Sequence, residues 1–210
     1  MNFLKKYYNL LINPENFPFG GEVESIKINN SKIPITIVKK YKKNKIDKYI
    51  KLLFLSDKLK NCAFVPKLIN YNNNTLEVEQ IYCGKQAKIK NLPKDWKQQL
   101  LDMKKELIKH KIAFVDWGPW DANPYIINNV CILNEKLYLV DLGDCYYDEP
   151  KNIEKYFDYQ IYYFENLIKK NKLFLIYHYT YVLYKGIYRK LSRINNWIYM
   201  FIILIIYFYF

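Results

Sequence analysis

Arginine and histidine are nearly absent from this chain of 210 residues. Arg189 and Arg193 are its two arginines, so the formal net charge of +13 comes almost entirely from lysine. Guanidinium groups make bidentate contacts to bases and phosphates, and their scarcity argues against a nucleic-acid-binding protein. The charge still favours anionic partners such as nucleotides and acidic lipids. His178 has no acidic or cysteine neighbour and His110 ends a predicted helix, so we interpret both as structural.

Cysteine is sparse as well. The four cysteines lie far apart and form no C-x-x-C pair, a pattern typical of free thiols in a reducing compartment. No signal peptide is visible, because the apolar stretch in MNFLKKYYNLL is too short before the polar residues 13–16. We therefore expect a cytoplasmic protein. The abundance of Lys, Asn, Ile and Tyr indicates an AT-rich genome more than a function.

A hydrophobic run of full membrane-spanning length is missing, although the C-terminus comes close. Residues 197–210, WIYMFIILIIYFYF, carry no charge and follow the basic residues Arg189, Lys190 and Arg193. As a helix this run would extend about 21 Å, short of the roughly 30 Å hydrocarbon core. Two interpretations stay open: a membrane anchor with its basic flank in the cytoplasm, or a helix buried in the protein.

Carboxylates and an amide suited to phosphoryl transfer are concentrated between residues 107 and 144. Asp116 follows the apolar run 112–115, and Asp141 follows the apolar run 137–140. Each therefore stands where a predicted strand gives way to a loop, a place where catalytic side chains collect. Asn123 and Asp121 lie between them. Hard oxygen ligands of this kind suit Mg²⁺, and a carboxylate can accept the proton of a hydroxyl group.

This pattern resembles the catalytic half of the protein-kinase-like fold, a group that includes protein kinases, aminoglycoside and choline phosphotransferases, and lipopolysaccharide-core kinases. The resemblance covers residues 19–165 and implies ATP and Mg²⁺ as cofactors. It implies that Asp116 is the catalytic base, that Asn123 is a metal ligand, and that Asp141-Leu142-Gly143 is the D-F-G triplet, whose Asp is the second metal ligand.

The predicted catalytic loop departs from the family pattern at two places. Phe114 stands where the family usually has a histidine, and Asn123 follows Asp116 by seven residues instead of five. The residue five positions after Asp116 is Asp121. Either two residues are inserted around 117–120, where Gly-Pro predicts a turn, or Asp121 has replaced the amide as the metal ligand. We favour the insertion.

The strand predicted over residues 33–41, IPITIVKKY, ends in lysines that resemble the ATP-positioning lysine of the family. The resemblance favours Lys39, with Lys40 as the alternative, because neighbouring side chains on a strand point to opposite faces. A glycine-rich phosphate loop should precede this strand. Gly20 and Gly21 are the only candidates, since the full G-x-G-x-x-G spacing is absent and two adjacent glycines can also form a simple turn.

A helix is predicted over residues 46–61, with a buried face formed by Ile46, Tyr49, Ile50, Leu53 and Phe54. The family places a glutamate here to pair with the strand lysine. This segment has none, and Asp47 is the nearest candidate. Residues 64–84 predict a hairpin that turns at Asn72-Asn73-Asn74. The resemblance implies that the backbone of Glu79 to Ile81 binds adenine and that Gly84 lets the chain turn.

The remaining helices are predicted at residues 93–110, with Pro93 in the first turn, and as an aromatic-rich pair over residues 152–194. We thus expect an α+β, two-lobed protein-kinase-like fold. Residues 1–84 would form a small N-lobe of antiparallel sheet and one helix, and residues 85–194 a reduced, mainly helical C-lobe. Residues 195–210 would form the hydrophobic tail. With 51% hydrophobic residues the chain can bury a sizeable core.

The expected activity is ATP- and Mg²⁺-dependent transfer of a phosphoryl group to a hydroxyl acceptor. The segment after Asp141 is short, which favours a small-molecule, glycan or lipid-linked acceptor over a folded protein. The alternative is a catalytically inactive kinase-like binding or scaffold protein, with or without a membrane anchor. A third interpretation is a short membrane protein whose soluble part only mediates interactions.

Overall fold

The computed structural model describes residues 22–31, 33–115 and 125–191. Its first half is built on a four-stranded antiparallel sheet in the order β1-β2-β4-β3. This order places β2 and β4 in the middle of the sheet. The strands are β1 (Val23–Asn29), β2 (Thr36–Tyr41), β3 (Leu68–Asn72) and β4 (Glu77–Ile81).

The β3–β4 hairpin forms where the asparagine-rich sequence predicts it. The side-chain oxygen of Asn72 accepts hydrogen bonds from the backbone N–H groups of Asn74 and Thr75. This local bonding satisfies the turn, because asparagine can mimic a backbone acceptor. On β4 the buried side chains are Val78 and Gln80, as the two-residue period of a strand requires.

The predicted helix after β2 is confirmed as α1 (Ile46–Lys58), but its predicted buried face is wrong. The helix buries Tyr49, Leu52 and Leu55 in the core, and the ring of Tyr49 meets that of Tyr41 on β2 edge-on at 5.8 Å. Three of the five residues predicted to be buried are exposed: Ile46, Ile50 and Phe54. The helix is apolar on two adjoining stripes, and only packing against the sheet decides which stripe is covered.

The second half combines two small sheets with three helices. The strands β5 (Lys85–Lys88), β7 (Ile126–Leu133) and β8 (Lys136–Leu139) form one antiparallel sheet, and β6 (Ile112–Ala113) pairs with β9 (Tyr146–Tyr147). The helices are α2 (Trp96–His110), α3 (Pro150–Ile168) and α4 (Lys172–Leu191). The prediction of a mainly helical second lobe is confirmed.

Helix α2 begins later than predicted. Its first helical residue is Trp96, so Pro93 precedes the helix and does not lie in its first turn. The helix ends at His110, and the next residue, Lys111, caps it: its left-handed backbone (φ 56°) lets its N–H reach the carbonyl groups of Leu107 and Ile108. Its buried stripe is Leu100, Met103 and Leu107.

Both halves contribute to one hydrophobic core. Leu52 and Leu59 from the first half and Leu100, Leu107 and Phe157 from the second are essentially inaccessible to solvent. Among the described residues no disulfide joins the cysteines. No helix of the described chain is long and apolar enough to cross a membrane. Residues 195–210 lie outside the described residues, so the membrane-anchor interpretation and the buried-helix interpretation both stay predictions.

Candidate functional site

The two candidate lysines of β2 lie in different environments. Lys39 is buried, with 8% of its surface exposed, whereas Lys40 is part-exposed and forms an ion pair of 3.2 Å with Glu24. Burial raises the pKa of the Cys83 thiol to about 12 and that of the Cys131 thiol to about 11, and the charge of Lys39 partly opposes both shifts. The Lys39 ammonium therefore lies on the inner face of the sheet, near Cys83 and Cys131.

Asp141 lies two residues after the end of β8 and directly before a short 3-10 turn over Leu142–Asp144. Its backbone is left-handed (φ 64°), a conformation that costs a residue with a side chain roughly 1–2 kcal/mol. Its Oδ1 atom is buried and makes no hydrogen bond within the described part of the chain. Strain and an orphaned oxygen at one residue are typical of a functional position.

A second carboxylate faces Asp141 across Gly143. A Cβ atom placed on Gly143 would lie 3.4 Å from Asp141 Oδ1, 3.4 Å from Glu22 Oε2 and 3.4 Å from Lys48 Cβ. Glu22 Oε2 is buried and likewise has no hydrogen-bond partner among the described residues. Burial first, and then the charge of Asp141, raise the pKa of Glu22, while Lys48 lowers it.

Lys48 of α1 supplies the positive charge of this cluster. Its ammonium group lies 3.6 Å from Glu22 Oε1 and also forms an ion pair with Asp144. Asp47, predicted as the helix residue that faces Lys39, is instead exposed. Consecutive residues on a helix point about 100° apart, so Lys48 lies in the site although its neighbour Asp47 faces solvent.

The hydroxyl group of Tyr41 completes the cluster. It is buried without a hydrogen-bond partner in the described chain, and burial, Asp141 and Glu22 together raise its pKa far above the ordinary value. Tyr41 is therefore a neutral hydrogen-bond donor. Buried polar atoms without partners usually indicate an unseen water or ion. The carboxylate oxygens of Glu22 and Asp141 are the ligand type that Mg²⁺ prefers.

Five of the predicted site residues lie outside the described residues: Gly20, Gly21, Asp116, Asp121 and Asn123. Their roles stay predictions. The structure does place the start of the predicted catalytic loop. Ala113 of β6 pairs with Tyr146 of β9, so the strand that leads to residue 116 lies beside the chain that follows Asp141.

The residues predicted to bind adenine, Glu79 to Ile81, form the end of β4. Glu79 Oε1 accepts a hydrogen bond of 2.7 Å from the Thr36 hydroxyl group, and the N–H of Ile81 donates to the carbonyl of Lys67 at 2.9 Å. The first of these bonds joins side chains, whereas the second already engages the backbone N–H of Ile81. The role of Glu79 and Ile81 in binding adenine stays a prediction. Gly84, further along the chain, has a positive φ of 88°.

Sequence reasoning missed Glu22, Tyr41 and Lys48 as parts of the site. Glu22 directly follows the two adjacent glycines, and its position there was the one available signal. Nothing in the sequence distinguishes Lys48 from the other lysines near it. The site joins the start of β1, the end of β2, the first turn of α1 and the turn after β8, which are brought together only by folding.

No protein-family profile matches the sequence, and no curated protein matches it. Solved structures do match. The Rio2 kinase–ADP/Mg²⁺–phosphoaspartate complex from Chaetomium thermophilum superposes with a TM-score of 0.50 at 15% identity, covering 81% of this chain. The match covers 60% of the Rio2 chain, so this chain spans less than two thirds of that kinase's length.

Two aminoglycoside phosphotransferases also match, with lower TM-scores. ADP-bound APH(2'')-Ib has a TM-score of 0.40 at 12% identity, with 90% of this chain and 89% of that chain covered. The gentamicin complex of APH(2'')-IIa has a TM-score of 0.36 at 12% identity, with 85% and 95% covered. The Rio2 match and the arrangement of sheets and helices agree: this chain has a divergent protein-kinase-like fold. The predicted α+β, two-lobed architecture is confirmed.

Proposed function

We propose that this chain is an ATP- and Mg²⁺-dependent phosphotransferase that acts on a hydroxyl acceptor. The observation that carries the proposal is the buried, unpartnered Oδ1 of Asp141, which lies together with Glu22 Oε2 around Gly143. Burial, and after it the charge of Asp141, raise the pKa of Glu22, so the two carboxylates disfavour each other's charged form. A divalent cation bound between these elements would offset that repulsion and supply a partner for the orphaned oxygens.

The residues present fit Mg²⁺. Asp141 would bind it together with Asn123, or with Asp121 if the carboxylate has replaced the amide. Bound with ATP, the ion neutralises negative charge on the phosphates. Asp141 contributes a ligand that is already desolvated and held by its backbone, so little reorganisation is needed when the ion binds.

Lys39 is the residue we propose for holding the phosphates. Its buried position gives its charge a stronger interaction with an anion than a solvated lysine would have. Lys40, by contrast, is already engaged with Glu24 on the outer face. The fold thus favours the first of the two candidates.

Asp116 would accept the proton of the acceptor hydroxyl group. The hydroxyl oxygen would then attack the terminal phosphorus of ATP, and ADP would leave. Eight residues lie between Asp141 and Pro150 at the start of α3, and part of that segment is β9. So short a segment leaves little chain with which to bind a peptide. This supports an acceptor that is a small molecule, a glycan or a lipid-linked hydroxyl compound.

The test is ATP turnover by the full chain with Mg²⁺ and a panel of hydroxyl acceptors that includes an aminoglycoside, an amino alcohol and monosaccharides. We expect Asp116→Asn and Asp141→Asn each to lower turnover at least about 100-fold, because each removes a group that acts on the reacting atoms. Asp57→Asn is the matched control, since Asp57 is exposed and pairs with Lys60 at the surface. Circular dichroism would verify that all variants fold.

The same experiment tests the alternative of an inactive binding or scaffold protein. Mg²⁺-dependent nucleotide binding that Asp141→Asn abolishes, with no turnover by any variant on any acceptor, would favour that alternative. Equal turnover by the wild type and the Asp141→Asn variant would contradict the proposed site itself.

A further inference from the structure

Three side chains with metal-binding groups meet away from the candidate phosphotransfer site. They are Cys62, in the loop between α1 and β3, and Glu106 and His110, both on α2. One ligand atom from each, the thiol sulfur, a carboxylate oxygen and an imidazole nitrogen, lies within 4.8 Å of the other two. None of the three residues belongs to the Glu22–Asp141 cluster.

Local structure explains why these groups converge. Glu106 and His110 are four residues apart on a helix, so their side chains lie on the same face. The loop that carries Cys62 is fixed by two backbone bonds. The Cys62 N–H donates to the carbonyl of Leu59 at 2.9 Å, and the Cys62 carbonyl accepts from the Val65 N–H at 3.2 Å. The thiol is therefore held against α2 by a loop whose anchoring residues are buried.

We propose that Cys62, Glu106 and His110 bind a Zn²⁺ ion, with water as the fourth ligand. Sulfur, nitrogen and oxygen donors together suit zinc, whereas Mg²⁺ and Ca²⁺ select sites made of oxygen alone. Ligand atoms around tetrahedral zinc are roughly 3–4 Å apart, given bonds of about 2.0–2.3 Å. The ligand atoms of this cluster are at most 4.8 Å apart. Small rotations of the Glu106 and His110 side chains would therefore bring them to the separation that zinc needs.

The electrostatics of the cluster favour a divalent cation. Zinc binding displaces the thiol proton to solvent, after which thiolate and carboxylate together balance the two charges of the ion. Glu106 also pairs with Lys109 at 3.7 Å, and both side chains are exposed. An exposed pair of this kind is weak, so zinc would displace it at little cost.

Zinc at this position would join α2 to the loop that connects α1 with β3. That loop follows the helix that carries Lys48 of the candidate phosphotransfer site. The ion would thus restrain the first half of the chain on the helices of the second half. A metal that binds only the folded protein also raises its stability.

The test is metal binding by the metal-free full chain, followed with Co²⁺ as an optical probe and then by Zn²⁺ competition. We expect a thiolate-to-cobalt charge-transfer band that zinc abolishes and that millimolar Mg²⁺ leaves unchanged. Cys62→Ser should lose the band. Glu106→Gln and His110→Gln should each weaken binding at least roughly tenfold. Zinc should raise the melting temperature of the wild type but not that of Cys62→Ser.

Matched controls are Cys131→Ser, which removes a different thiol, and Asp102→Asn, which removes an exposed carboxylate one turn earlier on the same helix. Both should bind Zn²⁺ like the wild type. Equal zinc affinity of the wild type and all three ligand variants would overturn the proposal, as would absence of zinc binding by the wild type. If Cys62→Ser does not fold, Glu106→Gln and His110→Gln still test the proposal, because both residues are only partly buried. The assay measures zinc binding without nucleotide or acceptor, so its outcome does not depend on whether the chain is a phosphotransferase.

Discussion

The ammonium group of Lys48 lies 3.6 Å from Glu22 Oε1 and ties the first turn of α1 to the residue before β1. The side chains of both residues are less than one fifth exposed, at 19% for Lys48 and 16% for Glu22. The same ammonium group pairs with Asp144, three residues after Asp141. One lysine thus holds together the helix, the start of the sheet and the turn that carries the candidate metal ligand.

Lys48→Met should destabilise the fold by about 1–3 kcal/mol, because it leaves the part-buried carboxylate of Glu22 without its cation. The measurement is the free energy of unfolding in urea. Lys60→Met is the control, since the Lys60–Asp57 pair is exposed on both sides and should contribute less than about 1 kcal/mol. Equal losses in the two variants would show that the Lys48 ion pairs add nothing beyond ordinary surface charge.

Glu22→Gln should change how stability depends on pH. The pKa of Glu22 is raised above its ordinary value of 4.5 in the folded chain, mainly by burial and then by Asp141. Its contribution is therefore fully present below pH 4.5 and is lost as pH rises through the folded value. The stability of the wild type minus that of Glu22→Gln should therefore fall as the pH rises above 4.5. A difference that rises with pH would contradict the assigned environment.

Lys39→Met should weaken ATP binding roughly 10- to 100-fold, the cost of losing a charge-assisted contact to phosphate. Lys40→Met is the matched control on the adjacent residue, and its affinity should stay close to that of the wild type because Lys40 pairs with Glu24 on the outer face. Calorimetric titration of nucleotide with Mg²⁺ measures both. A larger loss for Lys40→Met would identify Lys40 as the phosphate-binding lysine.

Gly84→Ala should destabilise the chain by at least about 2 kcal/mol. The backbone of Gly84 has a φ of 88°, and an added Cβ would lie 1.9 Å from the carbonyl oxygen of Ile132 in β7. Neither backbone can give way without disturbing the β5–β7 pairing that begins at Lys85. Urea unfolding measures the loss, and an unchanged midpoint would contradict this close approach.

Gly143→Ala should separate stability from metal binding. The added Cβ would make ordinary contacts of 3.4 Å with Asp141 Oδ1 and Glu22 Oε2, so the free energy of unfolding should change by less than about 1 kcal/mol. The methyl group would nevertheless lie within contact distance of both oxygens and take up space that an ion or its water would need. We expect Mg²⁺-dependent nucleotide binding to weaken at least tenfold, and binding equal to the wild type would place the ion elsewhere.

Much of the fold could be predicted from local patterns. The alternation in residues 33–41 predicted β2 and placed Lys39 and Lys40 on opposite faces, and Asn72 to Asn74 predicted the β3–β4 turn. Both rest on interactions between near neighbours, which the sequence contains in full. The apolar runs before residues 116 and 141 likewise predicted strands that end near the candidate site.

Contacts between distant residues were not predictable in the same way. The stripe of α1 that faces the sheet depends on which side chains, such as Tyr41, meet it, and the sequence offered two apolar stripes. Glu22 and Asp144 are far apart in the chain, and only folding places both beside Lys48. Cys62 and His110 come together for the same reason.

By itself, the sequence determined β2, the β3–β4 hairpin, the order of the four helices, the alternation that separates Lys39 from Lys40, and the position of Asp141 after a strand. Each of these follows from backbone periodicity or turn chemistry over a few residues. The tertiary structure alone decided that Glu22 and Asp141 face each other around Gly143 and that Lys48, not Asp47, points into the site. The physical reason is that burial and charge proximity depend on how the elements pack, and packing is a property of the whole chain.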